Sequence, residues 1–193
     1  MLNVLNKSLN NISLSQAWST FFIYSIIASL AIQTIILPIL LPQYHAGELW
    51  GCCDGLLSGG DWLTYQKLAI KATQQISEFG WGSWQLRSEG FGIVGVMSAI
   101  YSFFGNSKPY MLIPLFSALH ALGSLCIFML VKKLGVNRRT AFFSALPYLV
   151  FPTSLLWVAQ ILKDIFTLNG SLVILYGLVC LFGVFKIKGI RKQ

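Results

Sequence analysis

Few residues in this 193-residue chain can do chemistry, since only 10% are charged and two are histidine. Asp61 heads the stretch 61–79. Its carboxylate can take or orient a proton, or cap a helix by accepting a backbone N–H. Asp54, next to Gly55, reads as a turn residue. Gln160, Lys163 and Asp164 have i, i+3, i+4 spacing, which on one continuous helix puts them on a single face. Lys67, Lys71, Arg87 and Lys108 are further cations that can meet an anion or stay solvated. His45 reads as a hydrogen-bonding residue. His120, with Ser117 and Ser124 on the same helical stripe, reads as polar glue between helices. Cys52 and Cys53 are adjacent, and no zinc-type spacing exists. The sequence specifies no cofactor; a divalent cation shared by Asp61 and Asp164 is left open.

These residues must be held by elements built almost without charge. The chain is 55% apolar with a mean hydropathy of +0.69, against about 25% charged residues in a typical soluble domain. That composition excludes disorder and predicts an all-α integral membrane protein. Four apolar runs satisfy the length of about 20 residues that a span needs: Trp18–Leu41, Tyr110–Val131, Ala141–Leu162 and Ile165–Phe185. Phe91–Gly105 is apolar but covers only about 22 Å at 1.5 Å per residue, so it is expected to lie at the surface. Charge gives the direction. Residues 1–17, 132–140 and 186–193 hold nine of the fourteen bases and no acid, which places both termini in the cytoplasm by the positive-inside bias. The balance of 14 bases against 6 acids thus reports topology, and nucleic acid is not an expected partner. Residues 1–193 form one membrane domain with an outer loop at 42–109.

That loop is far longer than the usual two to eight residues between helices. Its aromatic residues, among them Trp50, Trp62, Trp81 and Trp84, suit a membrane–water boundary. Within it, Trp62, Tyr65, Leu68, Ala69, Ala72, Ile76 and Phe79 make an apolar stripe of helical period, and Gly80 supplies a stop. An amphipathic helix is predicted over Asp61–Phe79, with a second short helix over Phe91–Gly105. Pro109 is placed at the start of the next span, and Pro147 and Pro152 are expected to kink the third.

Asp61, Tyr65 and Ala69 in the run from Gly60 to Ala69 resemble the Asp…Tyr…Ala signature of the GT-C membrane glycosyltransferases, the family 39, protein-mannosyltransferase-like and aminoarabinose-transferase-like enzymes. Phe103 to Tyr110 is similar to their approach to the second span. Lys132-Lys133-Leu134-Gly135 with Asn137-Arg138-Arg139 resembles the basic turn after it, and Pro152–Trp157 with Gln160–Asp164 resembles the segment before the second outer loop. The resemblance implies transfer of a sugar from a polyprenyl-phosphate donor, in the outer leaflet, to an acceptor. It gives Asp61 and Asp164 the catalytic work. Lys163 or Arg87 would hold phosphate, with Tyr65, Gln160 and His45 on the substrate side. Such enzymes have many more spans, so the chain is expected to be an amino-terminal part or to need a second membrane subunit. The rival reading is a non-enzymatic four-span scaffold or adhesion protein, claudin- or tetraspanin-like.

Overall fold

A computed structural model of the chain describes residues 12–40 and 54–182. They form an all-α assembly whose regular elements are helices and short 3-10 turns. The first helix, α1 (Leu14–Ala31), continues in wider, π-type turns over Ile32–Leu40. It begins four residues before the expected Trp18. Ser13 and Gln16 form a reciprocal capping box there, the Ser13 Oγ accepting from the Gln16 amide at 3.1 Å and the Gln16 Oε1 from the Ser13 amide at 2.8 Å. Two backbone donors are satisfied at once. Pro38 lies in the wide turns, where its missing N–H breaks the regular ladder.

The amphipathic helix α2 (Asp61–Phe79) has the predicted limits, and Gly80 ends it at φ +79°. The second short helix, α3 (Gly92–Phe104), ends on Gly105 in the left-handed conformation. Tyr101 is fully buried between the two, donating to Gln66 Oε1 at 2.6 Å, while Gln66 Nε2 donates to the Ser107 carbonyl at 2.7 Å. Burial pushes the Tyr101 phenol well above its ordinary pKa, so it stays a neutral donor. The α2–α3 hairpin is therefore locked through a polar contact inside an apolar seam.

A 3-10 turn at Pro109–Leu112 leads into α4 (Ile113–Lys133). The expected third span is two helices, α5 (Arg138–Val150) and α6 (Pro152–Ala159), bent by 60°. Pro147 does not break the helix; the break is at Phe151, extended at φ −64°, ψ 131°, as the residue before a proline prefers. The last helix among the described residues, α7, spans Asp164–Phe182. Among the described residues three helices are long and apolar enough to cross a membrane, and a fourth crossing requires α5 and α6 to count as one.

Two apolar clusters hold these elements. One joins α2 and α3 to Leu112, Phe116, Val158, Ile161 and Ile165. The other joins Ala17 and Phe21 of α1 to Ala121, Leu125 and Phe128 of α4 and to Phe142 and Ala145 of α5. Helix α4 is common to both and is the most enclosed of the long helices. A polar thread crosses the bundle beside it. Ser25 Oγ lies 2.9 Å from His120 Nδ1, His120 Nε2 lies 3.3 Å from the Tyr148 carbonyl, and Tyr148 donates to Asn169 Oδ1 at 3.2 Å. His120 is thus glue between helices, as expected. Ser124 bonds only the His120 carbonyl of its own helix, and Ser117 Oγ is buried without a partner. The outward sides of α1 and α7 carry Ile23, Ile27, Ile39, Ile174, Leu178 and Leu181, all exposed. Faces this apolar need a cover of lipid or protein.

Candidate functional site

The chemistry-bearing residues are sorted by which of them find partners. Lys108 Nζ lies 2.7 and 2.9 Å from the two Asp54 oxygens, and this carboxylate raises the lysine pKa through a hydrogen bond and its charge. Lys71 Nζ lies 2.9 Å from Glu89 Oε1. Both cations are thereby engaged. Arg87 and Lys163 have no ion-pair partner among the described residues, and the fold brings them to one cavity of about 430 Å³. Its apolar wall includes Leu86, Phe91, Ile93, Val96 and Phe166.

Arg87 is placed by the loop between α2 and α3. The Gly90 and Phe91 amides donate to the Arg87 and Ser88 carbonyls at 3.1 Å, giving a 3-10 turn over Ser88–Gly90. Trp84 Nε1 ties the loop to the Gly95 carbonyl at 2.9 Å. The loop also needs Gly95 itself, since a Cβ there would stand 2.1 Å from the Leu86 carbonyl oxygen. No side chain larger than hydrogen leaves room for the backbone that presents Arg87.

Lys163 is placed by the turn between α6 and α7. Gln160, 1% exposed, closes that turn onto the preceding loop. Its Oε1 accepts from the Leu57 amide at 2.8 Å, and its Nε2 donates to the Gly55 carbonyl at 3.0 Å. Gln33 of α1 donates to the neighbouring Ala159 carbonyl at 2.6 Å. Ile161 takes φ +55° with its side chain buried, a conformation costly for a β-branched residue that persists only where packing imposes it.

The cavity also sees two helix starts. Gly92 opens α3 without a side-chain cap, and Lys163 and Thr167 flank the first turn of α7. The helix dipoles, and at α3 a start without a side-chain cap, favour an anion at such a place. Two unpaired cations and two helix starts beside an apolar wall can bind a phosphate that carries a hydrocarbon group.

The structure corrects several expectations. Gln160, Lys163 and Asp164 do not share a helical face, because α6 ends at Ala159 and α7 begins at Asp164. Gln160 is buried, Lys163 exposed and Asp164 half-buried. Asp61 is not a cap either: Gly60 holds the N-cap position, with no side-chain cap bond, and Asp61 is the first helical residue. The Trp62 ring folds back over Gly60, its Nε1 donating to the Leu57 carbonyl, which only a glycine at 60 permits. Asp61 is exposed and does not line the cavity. Tyr65 is buried behind the wall, its ring edge-on to Phe91 at 5.3 Å between centroids. His45, Cys52 and Cys53 lie outside the described residues.

The residues not singled out from sequence are Gly95, Gln33 and Ile161, each a positioning residue. Gln33 was visible as the one amide inside an apolar run; the other two carry no local signal. Comparison of the chain with protein-family models, with curated proteins and with solved structures found no match in any of the three.

Proposed function

We propose that the chain is a multi-pass membrane protein that binds a polyprenyl-phosphate-linked sugar at its outer face, as a GT-C-like glycosyltransferase module. The observation that carries this reading is the meeting of Arg87 and Lys163, unpaired, at one apolar-walled cavity. Four crossings, with α5 and α6 sharing the third, put this cavity outside and residues 132–140 inside.

In transfer, an acceptor hydroxyl attacks the anomeric carbon, the bond from that carbon to the phosphate oxygen breaks, and a carboxylate takes the hydroxyl proton. The leaving phosphate gains negative charge, which a guanidinium and an ammonium at its oxygens stabilise. Asp164, next in sequence to Lys163 and without the ion-pair partner that Glu89 has in Lys71, is the carboxylate assigned to this step. Asp61 serves the acceptor where a further segment or subunit closes over the head of α2. The exposed apolar sides of α1 and α7 favour work inside a larger membrane assembly, a feature the scaffold reading shares.

The test is binding of polyprenyl phosphate by the full chain in nanodiscs, with polyprenol as the neutral comparison. A charged hydrogen bond is worth about 1.5–3 kcal/mol, so Arg87→Ala with Lys163→Ala is expected to weaken phosphate binding by 10²-fold or more. Equal binding of polyprenol and polyprenyl phosphate overturns the proposal.

A further inference from the structure

The opposite end of the bundle carries a second cavity, of about 380 Å³. Lys132 and Lys133, at the end of α4, and Arg138, at the start of α5, all line it. Leu14, Phe128 and Met129 form its apolar side, and Tyr176 of α7 adds an aromatic edge. None of the three cations has an ion-pair partner among the described residues. The acids within the described residues, Asp54, Asp61, Glu78, Glu89 and Asp164, all belong to the other end of the bundle.

Positive-inside topology explains why these residues are basic. It does not explain why they share a cavity. Arg139 shows the difference, since its guanidinium lies over the Phe143 ring at 5.8 Å and does not line the cavity. Arg138 turns the other way, donating through Nη1 to the Ile12 carbonyl at 2.9 Å. That bond fixes the guanidinium at the entrance to α1 and leaves further N–H donors in the fork. The cations are thus gathered by packing and held beside an apolar surface.

We propose that this cavity is a binding site for the phosphate headgroup of an anionic phospholipid of the inner leaflet. Its volume is at the small end for a ligand site, enough for a headgroup while the acyl chains stay along Phe128, Met129 and the neighbouring helix sides. Basic pockets between helices on the cytoplasmic side suit such headgroups. The site rests on the four-crossing arrangement proposed above, which puts this end of the bundle at the inner leaflet, and it is independent of sugar transfer.

The test measures phosphatidylglycerol and phosphatidylcholine bound to the full chain in detergent micelles, by native mass spectrometry. Phosphatidylglycerol is expected to be retained at least tenfold over phosphatidylcholine; equal retention overturns the proposal and needs no variant. A basic residue near an anionic surface gives about fivefold each, so K132Q, K133Q and R138Q together are expected to cost about 100-fold. R139Q removes the same charge as R138Q from outside the cavity and is expected to change little. If R138Q and R139Q weaken binding equally, the attraction is diffuse and there is no site. Glycerol phosphate or inorganic phosphate displacing the lipid at equal concentration overturns the lipid assignment in favour of a soluble anion.

Discussion

The two ends of the bundle are both rich in cations, yet they reach their free charges differently. At the end that carries α2 and α3, acids and bases are mixed, and the loops fold until Lys71 meets Glu89 and Lys108 meets Asp54. Arg87, Lys163 and Lys67 remain without an ion pair among the described residues, and of these Arg87 and Lys163 share one cavity while Lys67 stays on the exposed side of α2. At the other end no acid is present among the described residues, so all the cations stay unpaired and only packing separates Arg138 from Arg139. A count of bases would rank the second end as the stronger site. Pairing and placement decide instead: one site is defined by subtraction, the other by enclosure.

The contrast breaks outright if the ends do not lie on opposite sides of a membrane. With the native cysteines replaced, Gln85→Cys is expected to react with an impermeant thiol reagent from outside. Val136→Cys is expected to react only after permeabilisation, and the reverse pattern removes the four-crossing arrangement.

The next largest effect concerns the two carboxylates. Asp164→Asn is expected to lower sugar transfer by 10²–10⁴, the usual cost of losing a general base, measured in membranes that contain the full chain and a polyprenyl-phosphate sugar donor. Asp61→Asn tests the same role at the head of α2. With no cap bond to lose there, folding is expected to be unchanged and any lost rate reports chemistry. Full activity in both variants removes the catalytic assignment.

Gly95→Ala sharpens the comparison by disturbing one end alone. Its methyl has no room against the Leu86 carbonyl, and overpacking typically costs about 1–3 kcal/mol. Thermal unfolding should register that loss, polyprenyl-phosphate binding should weaken as Arg87 shifts, and phosphatidylglycerol retention at the far cavity should not move. The smallest effect belongs to the Lys108–Asp54 pair, whose side chains are 48% and 49% exposed. The raised lysine pKa means that the pair stabilises the fold fully below the unfolded lysine pKa of about 10.4. That contribution is lost as pH rises through the higher folded value, and added salt should erase it at neutral pH. An Asp54→Asn variant that unfolds measurably earlier in high salt contradicts this.

Legibility in the sequence followed periodicity. The stripe from Trp62 to Phe79 gave α2 with its observed limits, because i, i+3, i+7 spacing is a local property, and Gly80 and Gly105 stopped their helices by local conformational freedom. The turn after Ala159 was not legible. It has no glycine, since Ile161 takes the left-handed position that a glycine marks elsewhere, and the third apolar run therefore reads on three residues past the end of α6, to Leu162. That hidden turn is also why Gln160, Lys163 and Asp164 were expected on one face. The cap at the head of α2 shifted by one residue because the Trp62 ring, folded back on Gly60, sets the register. The meeting of Arg87 and Lys163 is purely tertiary, so spacing along the chain could not announce it.

The hydrogen bonds of α1 also set a timetable. Ser25 has its partner 95 residues later and Gln33 has its partner 126 residues later. At ribosomal rates of about 5–20 residues per second, those partners emerge roughly 5–25 s after α1 itself. For that interval the Ser25 hydroxyl and the Gln33 amide N–H lack the partners that hold them in the bundle. The first of the described helices to be made is therefore among the last to be completed, and it is the one on which an insertion chaperone would have the longest hold.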